Sequence, residues 1–135
     1  MARRHRKNIS TQEAKRYLRN AREILKSAPV EDNIYTDLKP VREACSTAYL
    51  AVLIAIDNYL MKRGVSEDRL PQSVDGYRKA LKKYLTVHNG KLAKNFERIY
   101  RELHIAGYYR GLLTGTDTVK DAIKAAKDFI EKIGN

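Results

Sequence analysis

His104 is the side chain best suited to move a proton near neutral pH, because imidazole titrates there without help from its surroundings. On a helical wheel of about 100° per residue it lies roughly 100° from the centre of the local apolar stripe, at the edge of a buried face. Glu97, Tyr100, Arg101 and Tyr108 share that flank. An imidazole beside a guanidinium is a pair that phosphoryl chemistry can use: the ring moves the proton and the arginine neutralises charge on the non-bridging oxygens. The same position equally suits an interface histidine held by tyrosine hydroxyls.

The remaining reactive side chains offer less. Cys45 is the single cysteine, which excludes a disulfide framework or a multi-thiolate zinc site. It sits in an apolar run and reads as a buried thiol. His88 precedes Asn89–Gly90 and reads as a surface or capping residue, and His5 belongs to a basic N-terminal stretch. Neither His88 nor His104 has an acid three positions earlier, so the Glu-x-x-His pairs of a di-metal bundle are missing. HExxH, P-loop, nucleophile-elbow and dinucleotide-binding motifs are missing too. We therefore expect no metal and no cofactor. Gly107, Gly111 and Gly115, four apart, point to close helix packing rather than a phosphate loop.

The charge is unevenly placed. The 135 residues carry a net +11, yet residues 8–75 and 111–135 are each balanced. Residues 1–7 hold four bases and no acid, and residues 76–110 hold nine bases against only Glu97 and Glu102. That second segment also has five of the nine tyrosines. Cations neutralise phosphate and rings offer stacking faces, so Arg78, Lys82, Lys83, Lys91, Lys94, Tyr100 and Tyr108 are candidate nucleic-acid-binding residues. The plainer alternative is that the lysines solvate helix faces and the tyrosines edge the core.

These residues need a frame, and the composition makes it helical: 14 alanines and 13 leucines outweigh 7 valines. Ser10 with Glu13 forms a capping box ahead of a helix over about Thr11–Ala28, stopped by Pro29. A second helix, Leu38–Arg63, is apolar nearly all round from Ala44 to Ile56, as expected of a central helix, and Gly64 ends it. A third runs from Val74 to Val87 behind Ser73, with the turn at Asn89–Gly90. A fourth covers Lys91–Leu113, and a fifth is capped by Thr116 or Asp117. The expected fold is all-α, an up-and-down bundle of four long helices plus one shorter helix in a single domain, residues 10–135, behind a basic arm, residues 1–9. No apolar stretch reaches 18 residues and the basic start has no apolar run behind it, so we expect neither a membrane span nor a signal peptide, and a cytoplasmic protein.

The order of these segments resembles a known family. Ala14–Lys15–Arg16–Tyr17–Leu18–Arg19–Asn20–Ala21 opens the first helix, and the second carries Ser46–Thr47–Ala48–Tyr49–Leu50–Ala51–Val52 and closes on Leu60–Met61–Lys62–Arg63–Gly64. His88–Asn89–Gly90 then leads into Arg101–Glu102–Leu103–His104 and Tyr108–Tyr109. This resembles the HEPN superfamily of small helical bundles over most of residues 11–133. The resemblance implies a homodimer, a nucleotidyltransferase-like partner and, in many members, a metal-independent endoribonuclease. Its signature, an arginine followed after four to six residues by a histidine, is matched by Arg98 and His104 with five residues between. Ile99, just after that arginine, takes an inner position where active members commonly have a polar residue. On an unbroken helix Arg98 points about 120° from His104 and Arg101 only about 60°, so both arginines stand as candidate catalytic partners.

The leading expectation is thus RNA or nucleotide binding through the flank at residues 76–110, with endoribonuclease activity around Arg98, Arg101 and His104. A non-catalytic bundle docking an acidic protein is the alternative. A third is a helix-turn-helix DNA binder that reads with Lys91, Lys94, Asn95, Arg98 and Arg101.

Overall fold

The computed structural model describes residues 9–134, and within 86–89 the backbone alone. The expected arm over residues 1–9 therefore lies outside the described residues save for Ile9, and so does the side chain of His88. Helix α1 (Thr11–Lys26) starts where the capping box predicts: the Glu13 N–H donates to the Ser10 hydroxyl at 3.0 Å. Helix α2 (Leu38–Lys62) is capped by Asp37, which accepts from the Lys39 N–H at 3.1 Å. Helix α3 covers Val74–Ile99 behind Ser73, continues as a π-helical segment over Tyr100–Tyr109, and is followed by α4 (Thr116–Gly134). The protein is an all-α bundle.

Helix α2 is its axis. Val41, Ala44, Cys45, Ala48, Ala51, Val52, Ala55 and Ile56 are all buried, and α1, α4 and the π segment pack around them. Small side chains at 44, 48, 51 and 55 let those neighbours come close. By length and composition alone α2 could cross a membrane. Here its buried positions form the core with Leu18, Leu81, Phe96, Leu103 and Phe129.

The link between α1 and α2 holds an element that the sequence reading leaves as loop. Strands β1 (Val30–Glu31) and β2 (Ile34–Tyr35) form a hairpin whose two turn residues, Asp32 and Asn33, have φ of 51° and 63°. Positive φ at both positions matches the twist of the strands, and Asp and Asn accept it more easily than most residues. The hairpin also takes bonds from the chain ahead of α4: Tyr35 N–H donates to Thr114 O at 2.8 Å and Thr116 N–H to Asn33 O at 3.0 Å.

Residues Val74–Ile99 are helical in succession, with no non-helical residue at Asn89–Gly90, the turn expected between a third and a fourth helix. Yet the Arg78 Nε lies 2.7 Å from the Glu97 Oε2, and the Tyr77 and Phe96 rings are 6.4 Å apart. A straight helix would separate residues 19 apart by about 28 Å. Helix α3 is therefore folded back on itself as two antiparallel limbs, the reversal midway between those partners. Two contacts hold the first limb on α2: the Tyr77 hydroxyl donates to buried Asp57 at 2.9 Å, and the Tyr59 hydroxyl donates to Tyr84 O at 3.2 Å.

The π segment departs most from expectation, which had an ordinary helix to Leu113. Its path is set by Gly107, where a Cβ would lie 2.6 Å from the Cys45 Sγ and 3.0 Å from Glu102 O. At its end Gly111 takes φ 61°, and Leu112 N–H reaches back to Ala106 O at 2.8 Å. The Arg42 guanidinium donates to the terminal carbonyls of Tyr108 (2.8 Å) and Tyr109 (2.9 Å), satisfying acceptors that the helix leaves open.

Gly107→Ala should lower unfolding free energy by about 1–3 kcal/mol in denaturant titration, because overpacking outweighs the gain of roughly 1 kcal/mol in helix propensity. Removing the sulfur with Cys45→Ala in the same chain should recover part of that loss, giving a non-additive double-mutant cycle. Additive losses would mean that this contact does not set the path of the segment.

Candidate functional site

Hydrogen bonds from residue i to i+5 place residues four and five apart, rather than three and four apart, on one helix face. Over Tyr100–Tyr109 this aligns Tyr100, His104 and Tyr108 in a column. The His104 ring stacks 5.5 Å from Tyr100 and 5.9 Å from Tyr108, with interplanar angles of 24° and 25°. Tyr49 of α2 closes on the imidazole at 4.9 Å and 30°. The histidine sits at a boundary, half-buried, and its neighbours are aromatic faces.

Tyr100 and His104 of this column form one wall of a cleft of about 410 Å³. Tyr49 and Leu53 come from α2, Pro71 and Gln72 from the loop before α3, Val74 and Tyr77 from its first limb, and Tyr100 and His104 from the π segment. Apolar and aromatic walls with a few polar groups are the usual make-up of a small-molecule site. At its rim Arg78 lies over the Tyr100 ring, 5.1 Å from its centroid, and is held by Glu97 at 2.7 Å and Asp75 at 2.8 Å. Those two carboxylates raise the Arg78 pKa further and fix the guanidinium as a permanent cation.

Burial pushes the Tyr49 hydroxyl up to about 12, chiefly by desolvation, and pushes the His104 imidazole below its ordinary value of 6.5. The cleft therefore presents a neutral phenol and a neutral imidazole at pH 7. Among the described residues no cluster of His, Cys, Asp and Glu could hold a metal ion.

The candidate residues fall into three groups. Arg78, Tyr100, His104 and Tyr108 come together as described. Lys82, Lys83, Lys91 and Lys94 are exposed on the two limbs of α3, between Arg78 and Glu97 in the chain. Lys83 also lies over its neighbour Tyr84, 5.3 Å from the ring centroid. The two arginines expected beside His104 are placed elsewhere. The Arg98 Nε is 2.9 Å from the Glu102 Oε2, an i,i+4 pair at the exposed edge. Arg101 is exposed, and the widened helix turns a residue three positions back away from the ring instead of toward it. Tyr49, Tyr77 and the Pro71–Val74 stretch escape sequence reasoning, since they are distant in the chain and carry core-like or loop-like patterns. The i,i+4,i+8 spacing of Tyr100, His104 and Tyr108 was the available signal.

The shift of His104 gives a pH dependence with a definite sign. A histidine whose folded pKa lies below the unfolded value of about 6.5 leaves the unfolded state with more bound protons at low pH. Its contribution to stability is complete above that value and is lost as pH falls through the folded pKa. Melting temperature should thus drop more steeply below pH 6.5 in the wild type than in His104→Phe. Parallel curves in a thermal-shift series would show that the ring titrates as if in water.

No curated protein matches the chain. Among solved structures, a protein of unknown function from Dyadobacter fermentans is similar at 33% identity and a TM-score of 0.73, covering 93% of this chain and 96% of that one. The family model described as a domain of unknown function, DUF5618, matches residues 9–135. The chain belongs to the DUF5618 family.

Proposed function

We propose that this DUF5618 protein is a HEPN-like bundle that binds RNA or a nucleotide along α3 and the π segment. The observation that carries the reading is the cleft walled by Tyr49, Tyr100 and His104, with Tyr108 stacked on the imidazole from outside the lining and Arg78 over the Tyr100 ring. A flat base fits against such rings, while the limb lysines Lys82, Lys83, Lys91 and Lys94 meet the phosphates and Arg78, held by Glu97 and Asp75, stays over the Tyr100 ring. Binding draws more from this geometry than cleavage does. A neutral, stacked imidazole whose expected arginines point elsewhere lacks the charge partner of a phosphoryl-transfer site. The helix-turn-helix reading draws little, since its two helices cross at about 90–120° and the limbs of α3 run antiparallel.

For the homodimer the supporting feature is the outer stripe of α2. Leu50 and Met61 are exposed at 44% and 37%, with half-buried Ile54 between them. A second copy packed antiparallel on this stripe would set Glu43 of one helix near Lys62 and Arg63 of the other.

Fluorescence anisotropy with a labelled single-stranded RNA tests the reading. Affinity should fall with salt, log K declining by about 0.7 per log unit of salt for each phosphate contacted. His104→Ala and Tyr108→Ala should each weaken binding by about 1–3 kcal/mol, or about 5- to 150-fold. The same RNA in excess chelator should remain uncut; cleavage that disappears in His104→Ala would instead place that imidazole in catalysis. No binding at low salt would overturn the reading in favour of an acidic protein partner.

A further inference from the structure

The region that looks neutral in the sequence has its own basic face. Along the seam between α1 and α4 runs a groove of about 190 Å³ lined by Lys15, Arg19 and Arg22 of α1 and by Lys127 and Glu131 of α4, floored by Leu18 and Ile130. It continues past Lys15, Ile130 and Glu131 into a second hollow of about 290 Å³ that ends at Thr11 and Gly134. The acids that cancel these bases on paper are engaged elsewhere. Glu13 is held by Arg16 at 2.7 Å, Glu23 by Lys26 at 3.0 Å, and Asp128 by Lys124 at 3.2 Å. Among the described residues no ion pair engages Lys15, Arg19 or Arg22, and Lys127 meets Glu131 only at 3.8 Å. Three cations of α1 thus face Lys127 and one carboxylate of α4 across the groove.

We infer that the α1–α4 groove is a second anion-binding site, which takes the phosphodiester backbone of a nucleic acid without reading its bases. Arg19 and Arg22, one helical turn apart, present planar forks suited to phosphate oxygens, and Lys15 and Lys127 add point charges along the same line. The groove contains no aromatic ring, so it offers no stacking surface and its ligand is held by charge alone. The regular charge repeat of a phosphodiester chain fits a line of cations along a groove. The site lies on the α1 side of α2 and does not share a residue with the tyrosine-lined cleft.

An abasic sugar-phosphate 20-mer tests this, because it retains the backbone and lacks every base. The intact protein should bind it, and Arg19→Gln/Arg22→Gln should weaken that binding at least about ten-fold at low salt and flatten the salt slope by about 1.4, two phosphate contacts at 0.7 each. His104→Ala/Tyr108→Ala should leave the abasic affinity unchanged while weakening base-bearing RNA. Circular dichroism of each variant controls for folding. Wild-type affinity and slope in Arg19→Gln/Arg22→Gln, or no binding of the abasic strand by the intact protein, would overturn the groove as a site. Poly-glutamate of equal charge that binds as tightly, and is lost in the same double variant, would overturn the assignment to nucleic acid in favour of an acidic polypeptide. Failure of the tyrosine-cleft reading looks different: base-bearing and abasic strands would bind alike, and His104→Ala/Tyr108→Ala would match the wild type on both.

Discussion

The approach of the π segment to α2 at Gly107 and Cys45 governs most of what surrounds the candidate site. A side chain at 107 would meet the Cys45 sulfur at 2.6 Å, so only glycine lets the two backbones come this near. The thiol itself is fully buried, and desolvation pushes its pKa up to about 12, so it acts as a small apolar filler. Once Gly107 is seated, the segment between it and Ile99 runs with i→i+5 bonds, and that wider winding stacks Tyr100, His104 and Tyr108 over one another against Tyr49. Arg42 and Gly111 close the other end, where the carbonyls of Tyr108 and Tyr109 would otherwise face out unpaired. Aromatic order at the cleft is thus a consequence of a packing constraint two helices deep.

Much of the architecture is legible in the residues because each helix carries its own start signal and apolar period. Ser10, Asp37 and Ser73 cap the helices they precede, and the near-continuous apolar run from Ala44 to Ile56 does become the core helix. The β-hairpin is harder to see: Asp32–Asn33 is a less common choice for a turn with two positive φ angles, and strands of two residues leave almost no alternation to read. The π winding is invisible to a wheel drawn at 3.6 residues per turn, and this is why Arg101 was expected beside His104. The apolar spacing of Leu92, Phe96, Ile99 and Leu103 fits an α-helix and runs on unchanged across Tyr100, where the π winding begins.

Charge shows a similar gap between chain and fold. Counting along the sequence finds the surplus over residues 76–110, because there the acids are few. It misses the seam between α1 and α4, where acids and bases alternate in the chain and separate in space. The i,i+3 pairs Glu13–Arg16 and Glu23–Lys26 satisfy each other along α1, and the bases left over line up toward α4. Exposed pairs of that kind add little to stability. Their larger effect is to remove carboxylates from the neighbourhood of Lys15, Arg19 and Arg22.

Two cationic surfaces around a largely apolar central helix have an energetic consequence. A net +11 on 135 residues raises the energy of the compact state through self-repulsion, and helix α2, with no charge between Glu43 and Asp57, does nothing to offset it. The carboxylates around Arg78 neutralise one rim, but the limb lysines and the α1 arginines face solvent. Any polyanion that engages either face therefore relieves repulsion in the folded state that an expanded chain would feel far less, and by mass action it stabilises the bundle as it binds. The surplus of positive charge thus makes the compact chain the state that would gain most from a bound polyanion.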